Sequence, residues 1–192
     1  MKIPDHPLLF QDRHAWRAWL QDQYATHQEA WLMIKKNHVT EPGVFYAEAV
    51  EEALCFGWID GVMKSASDGF YFLRFSPRKP GSIWSVSNRK RVEQLTAQGK
   101  ITEAGLAKVR EAQENGEWEA AIAREDTSSL PDDLKRALER NGAAQVNFEK
   151  LPASQKKQFL YWILSAKTDK TRQKRIRETV ALAAKNKRLG ER

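Results

Sequence analysis

Between Asp60 and Asn88 the chain gathers side chains suited to receiving a charged ligand. Asp60 lies in an aromatic turn, Phe56-Gly57-Trp58-Ile59-Asp60-Gly61, whose two glycines permit unusual backbone angles. Arg74 comes near the end of an apolar run, Phe70-Tyr71-Phe72-Leu73-Arg74-Phe75. Alternate side chains of a strand face opposite ways, so Arg74 shares a face with Phe70 and Phe72, and Tyr71, Leu73 and Phe75 share the other. A guanidinium among such neighbours needs a partner, because an unpaired charge out of water is costly. Asp60 is the expected partner. The pair reads either as a structural ion pair that fixes the turn or as one wall of a pocket for an anionic or polar ligand.

From Gly69 through Val92 there is no acid and there are six bases: Arg74, Arg78, Lys79, Arg89, Lys90 and Arg91. Trp84 and small polar residues are interleaved with them. Ser85 or Ser87 is placed to cap a following helix, and a helix start beside Arg78 and Lys79 favours negative charge through its free N–H groups and its dipole. The candidate ligand-binding set is therefore Asp60, Arg74, Arg78, Lys79, Ser82, Trp84, Ser85 and Asn88. A tight turn at Asp68-Gly69 would bring Asp60 and Arg74 back together.

Other chemistries find little support. The histidines (His6, His14, His27, His38) are scattered without metal-ligand spacing, and there is no Gly-x-Ser-x-Gly elbow and no Walker loop. No catalytic residue, metal or cofactor is assigned. The stretch Asp68–Phe75 partly overlays the RNA-recognition strand pattern, but it is acidic at the first position and bulky, as Tyr71, at the fourth. Cys55, the single cysteine, falls inside a helical apolar pattern and is expected to be buried and inert.

The elements that must position these residues form an α+β pattern: a small, mostly antiparallel sheet packed with helices, followed by an all-helical C-terminal module. Helices are expected over 12–24, 47–56, 85–98 and 102–115, and strands over 31–35, 62–65 and 70–75. In the helix over 47–56, Ala47, Val50 and Leu54 face inward and Glu48, Glu51 and Glu52 outward, with Gly57 as a left-handed cap. Residues 116–130 turn polar, and Asp126-Thr127-Ser128-Ser129 is the expected linker between a domain at 1–125 and a module at 126–192. Beyond it a helix opens at Pro131, and three more centre on Val146/Phe148, Phe159/Trp162/Ile163 and Ile176/Val180/Ala183.

The net charge of +7 is uneven. Residues 153–192 hold 12 Lys/Arg against three acids, and the rest of the chain holds 20 against 22. A basic face with Arg172, Lys174, Arg175, Arg177 and Lys185 is expected there, suited to a protein or polyanionic partner, nucleic acid included. No apolar run is long enough for a membrane-spanning helix, and the start Met1–Pro7 does not read as a signal peptide. With one cysteine, that leads to an expected cytoplasmic location.

Three stretches carry a family resemblance: Glu51-Glu52-Ala53-Leu54-Cys55-Phe56-Gly57-Trp58-Ile59-Asp60-Gly61; Arg74-Phe75-Ser76-Pro77-Arg78-Lys79-Pro80-Gly81-Ser82-Ile83-Trp84-Ser85 with Asn88; and Ala166-Lys167-Thr168-Asp169-Lys170-Thr171-Arg172-Gln173-Lys174-Arg175-Ile176. Through them the chain, over nearly its whole length, resembles the bacterial YdeI/OmpD-associated family, also labelled bacteriocin-protection proteins. The resemblance implies an N-terminal α+β part, a helical OmdA-type module and a link to resistance against antimicrobial peptides or bacteriocins. It implies no reaction and no catalytic residues. The leading reading is a non-enzymatic binding or stress-tolerance protein with a polar anion pocket. An enzyme of unknown reaction using the Asp60/Arg74 pocket and a nucleic-acid-associated protein acting through its basic C-terminal helix are the alternatives.

Overall fold

The computed structural model describes residues 7–125, 130–166 and 168–191, and the chain divides into two compact units, Met1–Glu119 and Ala120–Arg192. The expected linker at 126–129 lies outside the described residues.

The first unit is α+β. Its four strands, β1 (Ala30–Lys35), β2 (Val44–Phe45), β3 (Trp58–Ser65) and β4 (Phe70–Pro77), form one sheet in the order β2-β1-β4-β3. All pairings are antiparallel except the short β1–β2 contact. β3 starts at Trp58 rather than Val62, because Trp58 and Ile59 continue the ladder against Pro77 and Ser76. One face of the sheet, built from Leu32, Ile34, Leu73 and Phe75, is buried. Helices α1 (Arg13–Gln23) and α2 (Tyr46–Cys55) cover it, with Trp16 packed on Phe75 at 5.6 Å and Trp19 edge-on to Trp58 at 6.0 Å. Asp12 starts α1 by accepting from the amide of Ala15, and Trp16 and Leu20, one turn apart, bury completely.

α2 departs from the sequence reading at one residue. Glu52, expected to face outward, is 3% exposed. Arg13 grips one carboxylate oxygen through Nε and Nη2, and Arg17 donates to the other at 2.7 Å. Glu52 stands three residues from buried Ala49, so the helical period carries it to the inner side of the helix, where two arginines of α1 compensate its charge.

The end of α2 is fixed by close backbone approach. Gly57 follows it at φ +74, the left-handed cap expected of it. Helices α3 (Val86–Ala97) and α4 (Glu103–Glu114) follow. A Cβ on Gly105 would lie 2.5 Å from the Cys55 carbonyl oxygen and 2.8 Å from that of Leu54, so α4 can sit against α2 only with glycine there. Thr102, the N-cap of α4, spends its hydroxyl on the Cys55 carbonyl at 2.6 Å instead of on its own helix. Cys55 itself is buried, and burial pushes its thiol pKa up. Helix α5 (Glu117–Glu125) occupies part of the stretch read as polar. Its buried Trp118 meets Trp84 edge-on at 4.9 Å, and this single anchor outweighs the polar composition around it.

The second unit is helical: α6 (Asp132–Glu139), α7 (Gly142–Lys150), α8 (Ala153–Leu164) and α9 (Asp169–Ala184). Asn141 caps α7 by accepting from the Ala144 amide. Leu134, Leu138, Phe148, Phe159, Leu160, Ile163 and Ile176 form the core, and each such burial contributes about 1.5–3 kcal/mol. No helix among the described residues is long and apolar enough to cross a membrane.

Candidate functional site

Asp60 and Arg74 do not meet. Near the hairpin tip β3 and β4 pair Ser65 with Tyr71, Lys64 with Phe72 and Met63 with Leu73, but beyond a bulge between Asp60 and Met63 the pairs become Asp60 with Phe75 and Ile59 with Ser76. Without the extra residue Asp60 would oppose Ser76, on the face of Arg74. The bulge moves it by one position and so to the other face of the sheet. Arg74 stays where alternation puts it, opposite Trp31 of β1, and pairs with Glu29 at 2.7 Å. The expected Asp60–Arg74 pair is replaced by an Arg74–Glu29 pair that ties β4 to the start of β1.

On its new face Asp60 joins a different group. It accepts from the Tyr46 hydroxyl at 3.0 Å. Burial pushes the Tyr46 phenol up to about 12, and the negative Asp60 adds to the shift while Arg91 opposes it. Burial raises Tyr71 as well, again reinforced by Asp60. Arg91 of α3 donates to Ser87 at 2.6 Å and to the Asn88 amide oxygen at 3.0 Å. Tyr46, Asp60, Tyr71 and Arg91 thus come from four elements into one electrostatic neighbourhood. Only Asp60 of the four is in the set read from the sequence.

Arg78 is the most unusual residue of the set. It is 3% exposed, and burial lowers its pKa to about 10, with Asp60 supporting the charged form from a distance. The guanidinium carbon stacks 3.6 Å from the centre of the Trp84 ring. Trp84 leans on Trp118, whose other contact is the guanidinium of Arg89 at 4.7 Å from its ring centre. Two cations and two indoles therefore form a connected array that fixes the plane of Arg78. Nη1 donates to the Ile83 carbonyl at 3.3 Å. Nε and Nη2 are buried and have no hydrogen-bond acceptor among the described residues. Arg78 lines a cleft with Lys79, Gly81, Ser82 and Trp84, closed on the α4 side by Lys108, Glu111, Ala112 and Asn115.

The eight sequence-derived residues divide accordingly. Arg78, Lys79, Ser82 and Trp84 come together at this cleft. Asp60 acts on Arg78 through its charge. Ser85 accepts from the Asn88 amide and Asn88 accepts from Arg91, so both build the start of α3. Arg74 lies apart, on the opposite sheet face. Lys108, Glu111 and Asn115 were not read from the sequence, because an exposed helix face gives no sign of what its polar residues adjoin.

The basic C-terminal face is smaller than expected. Arg172 grips Asp133 through Nε and Nη2 at 2.7 and 2.9 Å, and the guanidinium holds the Asp133 carboxyl below its usual range. Arg175 donates to the Trp162 carbonyl and to Ser165 and lies over the Trp162 ring. Both are internal ties of the second unit, as only folding could reveal. Lys174, with a loose contact to Glu178 at 3.9 Å, and Arg177 are exposed.

Residues 8–108 match the family model described as a domain of unknown function (DUF8412), and residues 127–186 match the one described as Bacteriocin-protection, YdeI or OmpD-Associated (OmdA). The chain belongs to the DUF8412 family and carries an OmdA domain. The resemblance read over nearly the whole chain is borne by the C-terminal part, whereas the stretches around Asp60 and Arg78 fall in the DUF8412 match. Comparison with curated proteins and with solved structures gives no match.

Proposed function

We propose that this protein works by binding rather than catalysis, within a bacteriocin-protection type of role, and that its DUF8412 unit holds a small anionic ligand at Arg78. The observation that carries this is a guanidinium 3% exposed whose Nε and Nη2 have no acceptor among the described residues. The structural arginines of this chain have their donors matched, Arg13 by Glu52, Arg172 by Asp133 and Arg175 by the Trp162 carbonyl and Ser165. Arg78 is desolvated, held in orientation by Trp84 and left with its strongest hydrogen-bonding edge unmatched. The exposed Lys174 and Arg177 of the OmdA domain supply a second, weaker contact for an acidic or polyanionic partner. The free, buried Cys55 supports a cytoplasmic setting.

Thermal melts of wild type and Arg78→Met, with and without acetate, sulfate or phosphate, test the reading. A ligand-receiving Arg78 predicts that an anion raises the wild-type Tm, that Arg78→Met is no less stable than wild type, and that the variant ignores anions. Loss of about 3 kcal/mol or more in Arg78→Met, with no anion response in wild type, makes Arg78 a structural residue instead.

A further inference from the structure

The ligand class follows from which two N–H groups of Arg78 are left over. Nη1 is engaged by the Ile83 carbonyl, so the remaining edge is the one formed by Nε and Nη2. Arg13 uses this same edge on Glu52, and Arg172 uses it on Asp133. The edge presents two parallel donors spaced for the two oxygens of a carboxylate.

The surroundings select further. The cleft encloses only about 10 Å³, close to the room of one water, so it can seat no more than the end of a ligand whose remainder lies outside. Glu111 is on its wall, and Lys108, one of the two lysines lining the cleft, is already paired with Glu111 at 2.7 Å. Asp60 adds negative potential at the guanidinium. A phosphate group carrying up to two charges near neutral pH meets more of this opposition than a monoanion does. Lys79 is exposed at the cleft and can meet the remainder of the ligand.

We infer that Arg78 binds a carboxylate side-on through Nε and Nη2, and that the natural ligand is a small monocarboxylate or the C-terminal carboxylate of a peptide. This rests on the anion-binding reading above.

Calorimetric titration of the full chain with propionate, inorganic phosphate, and one short peptide with a free or an amidated C-terminus tests it. Propionate or the free-acid peptide, whichever binds identifying the source, is expected to bind at least about tenfold more tightly than phosphate. The amidated peptide is expected not to bind. Arg78→Lys keeps the charge but loses the fork, and is expected to weaken carboxylate binding about tenfold or more. Should Arg78→Lys fail to fold, wild-type crystals soaked in 3-bromopropionate give the same answer, with the bromine signal marking a carboxylate against Nε and Nη2. Tighter binding of phosphate that still depends on Arg78 overturns the carboxylate inference and leaves the anion reading standing. Absence of binding by every anion overturns both.

Discussion

A guanidinium taken out of water without a carboxylate in contact costs several kcal/mol, and Arg78 carries that cost in the folded state. Asp60 eases it through space while committing its own hydrogen bond to Tyr46. The same carboxylate holds the Tyr46 proton in place, which gives a test at neighbouring residues. In the unfolded chain the phenol titrates near 10, and in the folded protein near 12. A group whose folded pKa is raised stabilises the fold below the unfolded value, so this contribution is whole at pH 9 and declines as pH climbs through the window from about 10 to about 12. Ultraviolet titration should find Tyr46 and Tyr71 titrating late, and Asp60→Asn should move both to lower pH. If Asp60→Asn leaves every phenol titration unchanged, the Tyr46–Asp60 hydrogen bond is not a feature of the protein in solution.

Elements decide which residues can meet, and here one extra residue in β3 decides it. Strand alternation placed Arg74 with Phe70 and Phe72 correctly, and Gly57 was legible as the cap of α2. The bulge was not, although Gly61 marks the position, since a glycine inside a strand often signals one. A single slip of register moved Asp60 from Arg74's side to the side of Tyr46, and so the central contact of the sequence reading was lost. Glu52 was missed for a related reason: three glutamates within five positions read as a solvated face, and only the packing of α1 on α2 brings Arg13 and Arg17 over one of them. Glu52→Ala leaves Arg13 with its contact to Glu51 and Arg17 with the Lys100 carbonyl, and should cost about 1–3 kcal/mol for the lost buried hydrogen bonds. Denaturant unfolding checks this. A loss under about 1 kcal/mol would mean that the network is no better than an ordinary surface ion pair.

At the scale of the whole molecule the charge asymmetry was plain in composition, but how the cations are used was not. Arg172 and Arg175 serve the OmdA core, so a polyanion has mainly Lys174, Arg177 and Lys185 among the five expected contacts. Heparin binding by the full chain should therefore be weak, fall steeply with added salt, and drop further in a Lys174→Glu/Arg177→Glu double variant. Arg172→Ala should instead lower the melting temperature. Anion binding at the buried Arg78 should respond far less to salt than heparin binding does. Equal salt dependence of both would place the two events on the same exposed surface.

Capture of the ligand by the free edge of Arg78 can be read directly from the Nε–H resonances of the arginines. Nitrogen-edited spectra of the full chain, recorded while an anion such as propionate is added, should show the Arg78 Nε–H moving downfield and saturating. Those of Arg13 and Arg172, already bound to Glu52 and Asp133, should stay in place. An Arg78 resonance that is indifferent to every anion, while other arginines shift in proportion to ionic strength, would contradict the claim.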